Sequence, residues 1–411
     1  MHVKLSTLAA LALTAPFGYA QSSSASASGA ASSGSASSSS SGYIQAVLGA
    51  LQSANLTMLA SAAEKIANST DGMMLLSSLG NGNKTVFAPT NSAFSNVSSS
   101  VDLNNATLVT EILAYHILNN TWSGAAVATS PNHTIARTLL NMGMYALPGN
   151  KSAPLVLSKM SSNASDFMIV EPMMNVTAMG NGTTAANLKI YIIDEVLMLP
   201  LNVSGAAMEF VPSLAGVVEK AGLLEPLEMA EAITVFAPND AAISAVMSQV
   251  GQLNSSMIQT VLANHVINGS IVYSPDLSSG NYTSAAGEPF KFMTNSSGTY
   301  VMSANSTAMI VQSDIILNNG VMHIIDGLLL NTMSDPSAAA SAYSSGINNQ
   351  MTMTEATGAM TAATSAAQTS GSGSSTSGAA FTRAQLVSQG GMGSILLGAI
   401  GAVVGGAWLL M

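Results

Sequence analysis

Thr85-Val86-Phe87-Ala88-Pro89-Thr90-Asn91-Ser92-Ala93-Phe94 returns later in the chain as Thr234-Val235-Phe236-Ala237-Pro238-Asn239-Asp240-Ala241-Ala242-Ile243. Each copy reads as a short strand, a stop and a helix start. Thr-Val-Phe suits a pleated, half-buried strand. Pro89 and Pro238 cannot donate to a ladder, and each biases the alanine before it away from helical backbone. Thr90/Asn91 and Asn239/Asp240 then offer side-chain oxygens to the free N–H groups of a following helix.

Two further phrases keep the same order. Leu113-Ala114-Tyr115-His116-Ile117-Leu118 corresponds to Leu262-Ala263-Asn264-His265-Val266-Ile267, and Phe87 lies as far from His116 as Phe236 from His265. Lys189-Ile190-Tyr191-Ile192-Ile193-Asp194 closes the first unit as Val321-Met322-His323-Ile324-Ile325-Asp326 closes the second. Three matching phrases in one order imply tandem duplication of a domain.

Together these phrases resemble the fasciclin domain family. The first box reads TVFAPTNSAF and TVFAPNDAAI, the Tyr-His region AYH and ANH, and the second box NGVMHIID at Asn319–Asp326. The resemblance spans residues 43–200 and 208–332. It implies an α+β fold, with each domain a β-wedge and packed helices, and a non-enzymatic role in adhesion. It makes Thr85, Phe87, Pro89, Asp194, Thr234, Phe236, Pro238, His323 and Asp326 structural box residues. It also makes Tyr115, His116 and His265 candidate interaction residues, because the Tyr-His region is linked with adhesion in animal members. The other reading is a histidine packed beside the core and bonded to backbone. Asn264 replaces the family tyrosine in the second copy, which weakens transfer there. Asp314 and Ile315 correspond to the Asp-Ile of an integrin-binding stretch in vertebrate members. Their flanks differ, so integrin binding is not carried over.

Within the first repeat Tyr43–Ala67 and Ala106–Leu118 read as helices. The second opens similarly, with Leu214, Val217, Val218 and Leu223. The first is longer between its histidine and its closing aspartate. Met173–Gly182, with sequons Asn175 and Asn181, reads as part of that excess, a glycosylated loop insertion.

Residues 1–20 read as a secretory signal: Lys4, an apolar Leu8–Leu13, and small residues at Gly18-Tyr19-Ala20. Residues 21–42 are a Ser/Ala-rich linker too poor in apolar surface to offset ordering. Secretion changes how asparagine is read. Seventeen Asn-x-Ser/Thr sites follow, at Asn55, Asn68, Asn83, Asn96, Asn105, Asn119, Asn132, Asn150, Asn163, Asn175, Asn181, Asn202, Asn254, Asn268, Asn281, Asn295 and Asn305. Glycans there would cover a surface otherwise poor in charge, since only 7% of residues are charged and the mean hydropathy is +0.40.

Residues 335–380 read as a Ser/Thr/Ala/Gly-rich stalk. In 381–411 a polar spacer with Arg383 and Gln385 precedes the apolar Ile395–Met411. With the small residues before it, this matches a GPI-attachment signal whose acceptor is Ser377 or Gly378. A C-terminal membrane helix is the rival, but the apolar run is short for a bilayer core.

Function classes narrow by exclusion. Lys and Arg total 10 against 20 Asp and Glu, which opposes nucleic-acid binding. The chain has no cysteine, so thiol catalysis and Cys-ligated metals are excluded. No hydrolase or phosphate-loop signature occurs, and the spacing of Glu171, Glu195, Asp240 and Asp326 selects no catalytic pair. The expectation is therefore no catalytic residue, metal or cofactor. The 26 methionines fit either an apolar cleft or an ordinary core.

The reading that results is a secreted, glycosylated, GPI-anchored fasciclin pair at the plasma membrane or cell wall, similar to fungal members. Its partners would be surface or wall glycoproteins and polysaccharides, or a second copy of itself. The alternatives are apolar-ligand or lipid binding at a vacuolar membrane, and a glycan-acting enzyme.

Overall fold

The structure is a computed structural model describing residues 35–97, 101–162, 165–178, 180–250 and 254–352. The signal segment, the attachment segment with Ser377 and Gly378, Asn163 and most of the stalk lie outside the described residues.

The first domain runs α1 (Ser35–Ser53), α2 (Thr57–Ile66), α3 (Thr70–Ser78), β1 (Lys84–Pro89), α4 (Asn91–Val97), α5 (Ala106–Tyr115), β2 (Ile117–Asn119), β3 (Thr134–Arg137), β4 (Pro154–Ser158), β5 (Phe167–Val170), β6 (Asn175–Ala178), β7 (Thr183–Ala185) and β8 (Leu188–Ile193). The second runs α6 (Val203–Phe210), α7 (Pro212–Lys220), α8 (Leu224–Met229), β9 (Ile233–Pro238), α9 (Asp240–Val250), α10 (Ser255–Ala263), β10 (Val266–Asn268), β11 (Tyr282–Thr283), β12 (Pro289–Asn295), β13 (Gly298–Ser303), β14 (Ser306–Leu317) and β15 (Gly320–Ile325). A last helix, α11 (Pro336–Thr352), follows. Each domain is thus an α+β unit of the same plan.

The repeated box forms β1 and β9. Each is flanked by an antiparallel β2 or β10 and a parallel β8 or β15, with Phe87 opposite Tyr191 and Phe236 opposite His323. A strand between two neighbours, with helices over it, is buried on both faces and reads as a continuous apolar run. That is why Thr-Val-Phe-Ala-Pro shows no alternation. The box also starts a helix, as its residues suggest. Thr90 Oγ1 and Asn239 Oδ1 accept from the N–H groups of Ala93 and Ala242, three residues on. Asn91 and Asp240 do something else: their Oδ1 atoms accept from Met58 N–H in α2 and Ser213 N–H in α7. Each clips an earlier helix to the box.

Several expectations need correction. The Tyr43–Ala67 helix is two helices, because Asn55 takes a left-handed φ of 61° between them. Met173–Gly182 is not an insertion. It supplies β6, which pairs with β5, and the turn into β7. The excess lies in residues 138–153, between β3 and β4, where the second domain has only 284–288, and in 159–166 against 296–297. The stretch 335–380 is not wholly a stalk, since its first part is α11. Gly346, the buried residue of that helix, lies against Gly269 and Ser270 of the second domain. A Cβ on Gly149 of the first domain would stand 2.7 Å from Gln350 O, so the end of α11 touches both domains.

The methionines contribute little to the fully buried core, although Met58 and Met142 pack half-buried against it. Among the described residues the buried apolar set is Leu, Ile, Val, Phe, Ala and Tyr with one methionine, Met322. Besides one core cluster in the first domain and two in the second, an apolar cluster spans the junction, in which Leu147 and Val156 of the first domain meet Ile271, Tyr273, Ile316 and Val321 of the second. The domains therefore bury apolar surface against one another as well as within themselves.

Candidate functional site

His116 is the C-cap of α5 and His265 directly follows Asn264, the C-cap of α10; both are buried and both rings bond the last turn of their helix. His116 Nδ1 donates to the Ile112 carbonyl at 2.7 Å, and its Nε2 accepts from Leu197 N–H at 2.9 Å. His265 repeats this with Val261 at 2.7 Å and Leu329 at 2.9 Å. Since Nε2 must accept from an amide, the neutral Nδ1–H tautomer is fixed. Burial pushes each ring down to about 4, outweighing the opposing bond to the carbonyl. Both rings thus join a helix end to the chain leaving the parallel strand, and both lie out of reach of an external partner.

Around them the chemistry changes while the job stays. Thr85 Oγ1 donates to Asn120 O and accepts from Trp122 N–H, while Thr234 Oγ1 donates to Ser270 O and accepts from Val272 N–H. Tyr191 donates its hydroxyl to Trp122 O at 3.0 Å, and His323 donates Nε2–H to Val272 O at 2.9 Å. Phenol and imidazole serve equivalent carbonyls, and each packs on its box phenylalanine, Phe87 or Phe236. Tyr115 and Asn264 diverge further. The buried Tyr115 hydroxyl donates to Pro154 O, whereas Asn264 donates to Asn331 O and Met333 O. Asp194 and Asp326 end their strands exposed, and Asp326 accepts from Met309 N–H at 2.7 Å. Pro89 and Pro238 are buried.

Asp314 and Ile315 are both buried. Asp314 sits where β14 breaks register with β15, at a φ of 62°. Its Oδ1 accepts from Ser274 N–H at 2.7 Å, and its Oδ2 from the Ser274 hydroxyl and from His133 Nδ1 at 2.6 Å. Burial alone would raise the Asp314 carboxyl. The His133 bond, nearby His323 and the Ser274 donors outweigh it and hold the carboxyl below its usual range. His133 belongs to the first domain, so this cluster pins the two domains together. Nearby, Arg137 donates to Ser152 O and to the Tyr273 hydroxyl, with its guanidinium 5.4 Å above the Tyr273 ring. Gln312 donates to Pro172 O. A lone histidine inside the Asn132 sequon carries no sequence signal for this role.

Among the described residues no group of three or more His, Asp or Glu is placed to hold a metal ion. Apolar voids of about 60 Å³ and 30 Å³ lie at equivalent places, the first lined by Leu48, Phe87, Leu113 and His116, the second by Leu227, Phe236, Leu262 and His265. The larger is well below the ~150 Å³ that admits benzene.

The sequon asparagines behave oppositely. Of those described, all but Asn268 are exposed, while the buried asparagines Asn264, Asn319 and Asn331 all lie outside sequons.

The fasciclin domain matches residues 54–200 and 211–331, and the chain belongs to the fasciclin domain family. It is 24% identical over 258 residues to a fasciclin-like arabinogalactan protein of Arthroderma benhamiae, covering 60% of this chain and 58% of that one. It is 23% identical over 262 residues to the fasciclin-like arabinogalactan protein elcF of Phaeosphaeria nodorum, covering 60% of this chain and 78% of the relative. A solved FAS1 domain pair from the insect cell adhesion molecule fasciclin I is 14% identical, covering 66% of this chain and 96% of that one at a TM-score of 0.32.

Proposed function

We propose that the chain is a non-catalytic interaction module of the cell surface: two fasciclin domains docked as one body, sheathed in N-linked glycans and held at the plasma membrane or in the wall by a C-terminal anchor. The observation that carries this reading is the division of polar residues. The histidines His116, His265 and His323 are spent on backbone inside the domains, while the described sequon asparagines other than Asn268 stand exposed. Asn105 and Asn254 cap α5 and α10 through Oδ1 alone, which leaves Nδ2, the atom that takes the sugar, free of that duty. The names of the two fungal relatives agree with a surface glycoprotein. The partner is a wall polysaccharide or surface glycoprotein, met by exposed loops and glycans. Lipid carriage at a vacuolar membrane has less support, because the voids are too small for a chain.

The test uses the full-length chain in a fungal host. Enzymatic removal of N-glycans should lower its mass in many steps, a GPI-specific phospholipase should release it from intact cells, and its deletion should weaken cell-to-cell or cell-to-wall attachment. An unchanged mass after deglycosylation, or unaltered attachment in the deletion strain, would remove the basis of the proposal.

A further inference from the structure

Seventeen large apolar side chains are exposed among the described residues, and thirteen of them are methionine. They run from Met160, 75% exposed, to Met257, 44% exposed, while Met322 is 2% exposed. Methionine ordinarily ranks with leucine and isoleucine among interior residues. Here the fully buried apolar set is hydrocarbon apart from Met322, and of the methionines whose burial is described thirteen are exposed and five half-buried. If the surface merely tolerated apolar residues, leucine, isoleucine and valine would share it, yet each supplies only one or two of the four remaining positions. What separates methionine from leucine on a surface is the chemistry of its sulfur.

We propose that these exposed methionines form a sacrificial sink for two-electron oxidants, hypochlorous acid or hydrogen peroxide, that reach the protein from outside. In the step, a sulfur lone pair attacks the oxidant's oxygen. The S–O bond forms as the O–Cl or O–O bond breaks, two electrons pass from sulfur, and chloride with a proton, or water, leaves. Each thioether consumes one oxidant molecule and becomes a sulfoxide. Three features of the molecule suit it to this use. The thioethers are spread over both domains, seven up to Met198 and six from Met208 on, as a sink requires and a soft-metal site, which needs convergent ligands, does not. The chain has no cysteine to be oxidised irreversibly or to scramble into disulfides. Oxidation adds a polar oxygen outside the core, on a surface short of charge.

The experiment titrates the full-length glycoprotein with each oxidant separately and maps sulfoxides by peptide mass spectrometry, at about 16 Da per site. The exposed thirteen should oxidise at doses that oxidise a free methionine peptide. Met322 should stay reduced, circular dichroism should be unchanged, and a thiol enzyme mixed with the protein should be spared. Replacing all thirteen by leucine, as in Met160→Leu, should abolish most of that sparing. Should that variant fail to fold, replacing only the seven first-domain positions should remove about half of it. The oxidant against which sparing occurs identifies the class met. Equal sparing by wild type and variant, oxidation of Met322 in step with the others, or unfolding at the first sulfoxides would each overturn the proposal.

Discussion

In the first domain a phenol meets the carbonyl of Trp122; in the second an imidazole meets the carbonyl of Val272. The sheets differ as well. The twelve-residue β14 carries the second domain's wedge through one seven-stranded sheet. In the first, β6 and β7 do that work separately, and the strands fall into two four-stranded sheets. What survives in both is the set of backbone groups that must be satisfied: the helix end and return segment at His116 and His265, and the loop tied by Thr85 and Thr234. Duplication preserved a hydrogen-bonding obligation, while the side chain that meets it could change wherever another of suitable shape reached the same atom.

The largest effect expected from this comparison is at the two shared rings. His116→Ala and His265→Ala each leave a buried N–H, that of Leu197 or Leu329, without its imidazole partner and open a void; Val261 O also loses its ring donor, whereas Ile112 O keeps the backbone N–H of residue 116. Each should cost about 3–5 kcal/mol, read by chemical denaturation. A near-zero cost at either position would mean the two domains do not share this bridge.

Acid should act through the same rings. With folded values about 4 and an unfolded value near 6.5, their stabilisation is complete above pH 6.5 and is lost as pH falls from there towards 4. The unfolded chain takes up the protons first, so the loss approaches about 3 kcal/mol per ring at pH 4. Glu171 works the other way. Burial raises it to about 7, against a weaker opposing backbone bond from Met198, so it favours the folded state at low pH and that help fades from pH 4.5 to 7. Stability measured from pH 7 down to 4 should still fall. A flat profile would contradict the neutral buried rings.

Exchanging the unlike pair tests whether the two side chains are interchangeable. Tyr191→His can keep a donor towards Trp122 O but thins the packing among Phe87, Phe167 and Tyr191. His323→Tyr must give up the bond that its Nδ1 accepts from Asp314 N–H. Both should cost about 2 kcal/mol, with His323→Tyr also loosening the junction. Smallest is His133→Ala. Asp314 keeps its two Ser274 donors, so about 1 kcal/mol is expected. The informative readout is calorimetric: the two domains should begin to melt separately, and a still single transition would show that the apolar cluster alone couples them.

The parts legible in the sequence are those where local chemistry and tertiary demand coincide. Thr-Val-Phe-Ala-Pro is a strand and a stop in any setting, and the family boxes could be placed from it. The recurrence of His116 and His265 exposed a shared role, though only the folded chain shows which atoms they hold. Other features had no local trace. The break at Asp314 is a shift within the β14–β15 pairing, between Gln312 opposite Ile324 and Ile315 opposite Met322, and the His133 bond joins residues far apart in sequence. The excess length of the first domain was misplaced at Met173–Gly182 because a glycine-and-sequon stretch resembles a loop, whereas β5 supplies the pairing that makes part of it a strand. Methionine misled for the opposite reason: its usual burial is a tendency of composition, and here the composition was spent on the surface.

The helix α11 sets how a pull would be borne. It begins directly after Asp335, whose N–H donates to Ala286 O, lies along Gly269 and Ser270, and ends beside Gly149 of the other domain. Traction on the chain beyond Thr352 therefore arrives at the seam between the domains, not at the free flank of the second. A pull from that side would load the contacts of α11 with Gly269, Ser270 and Gly149 first, and β15 only through the segment that joins it to the helix.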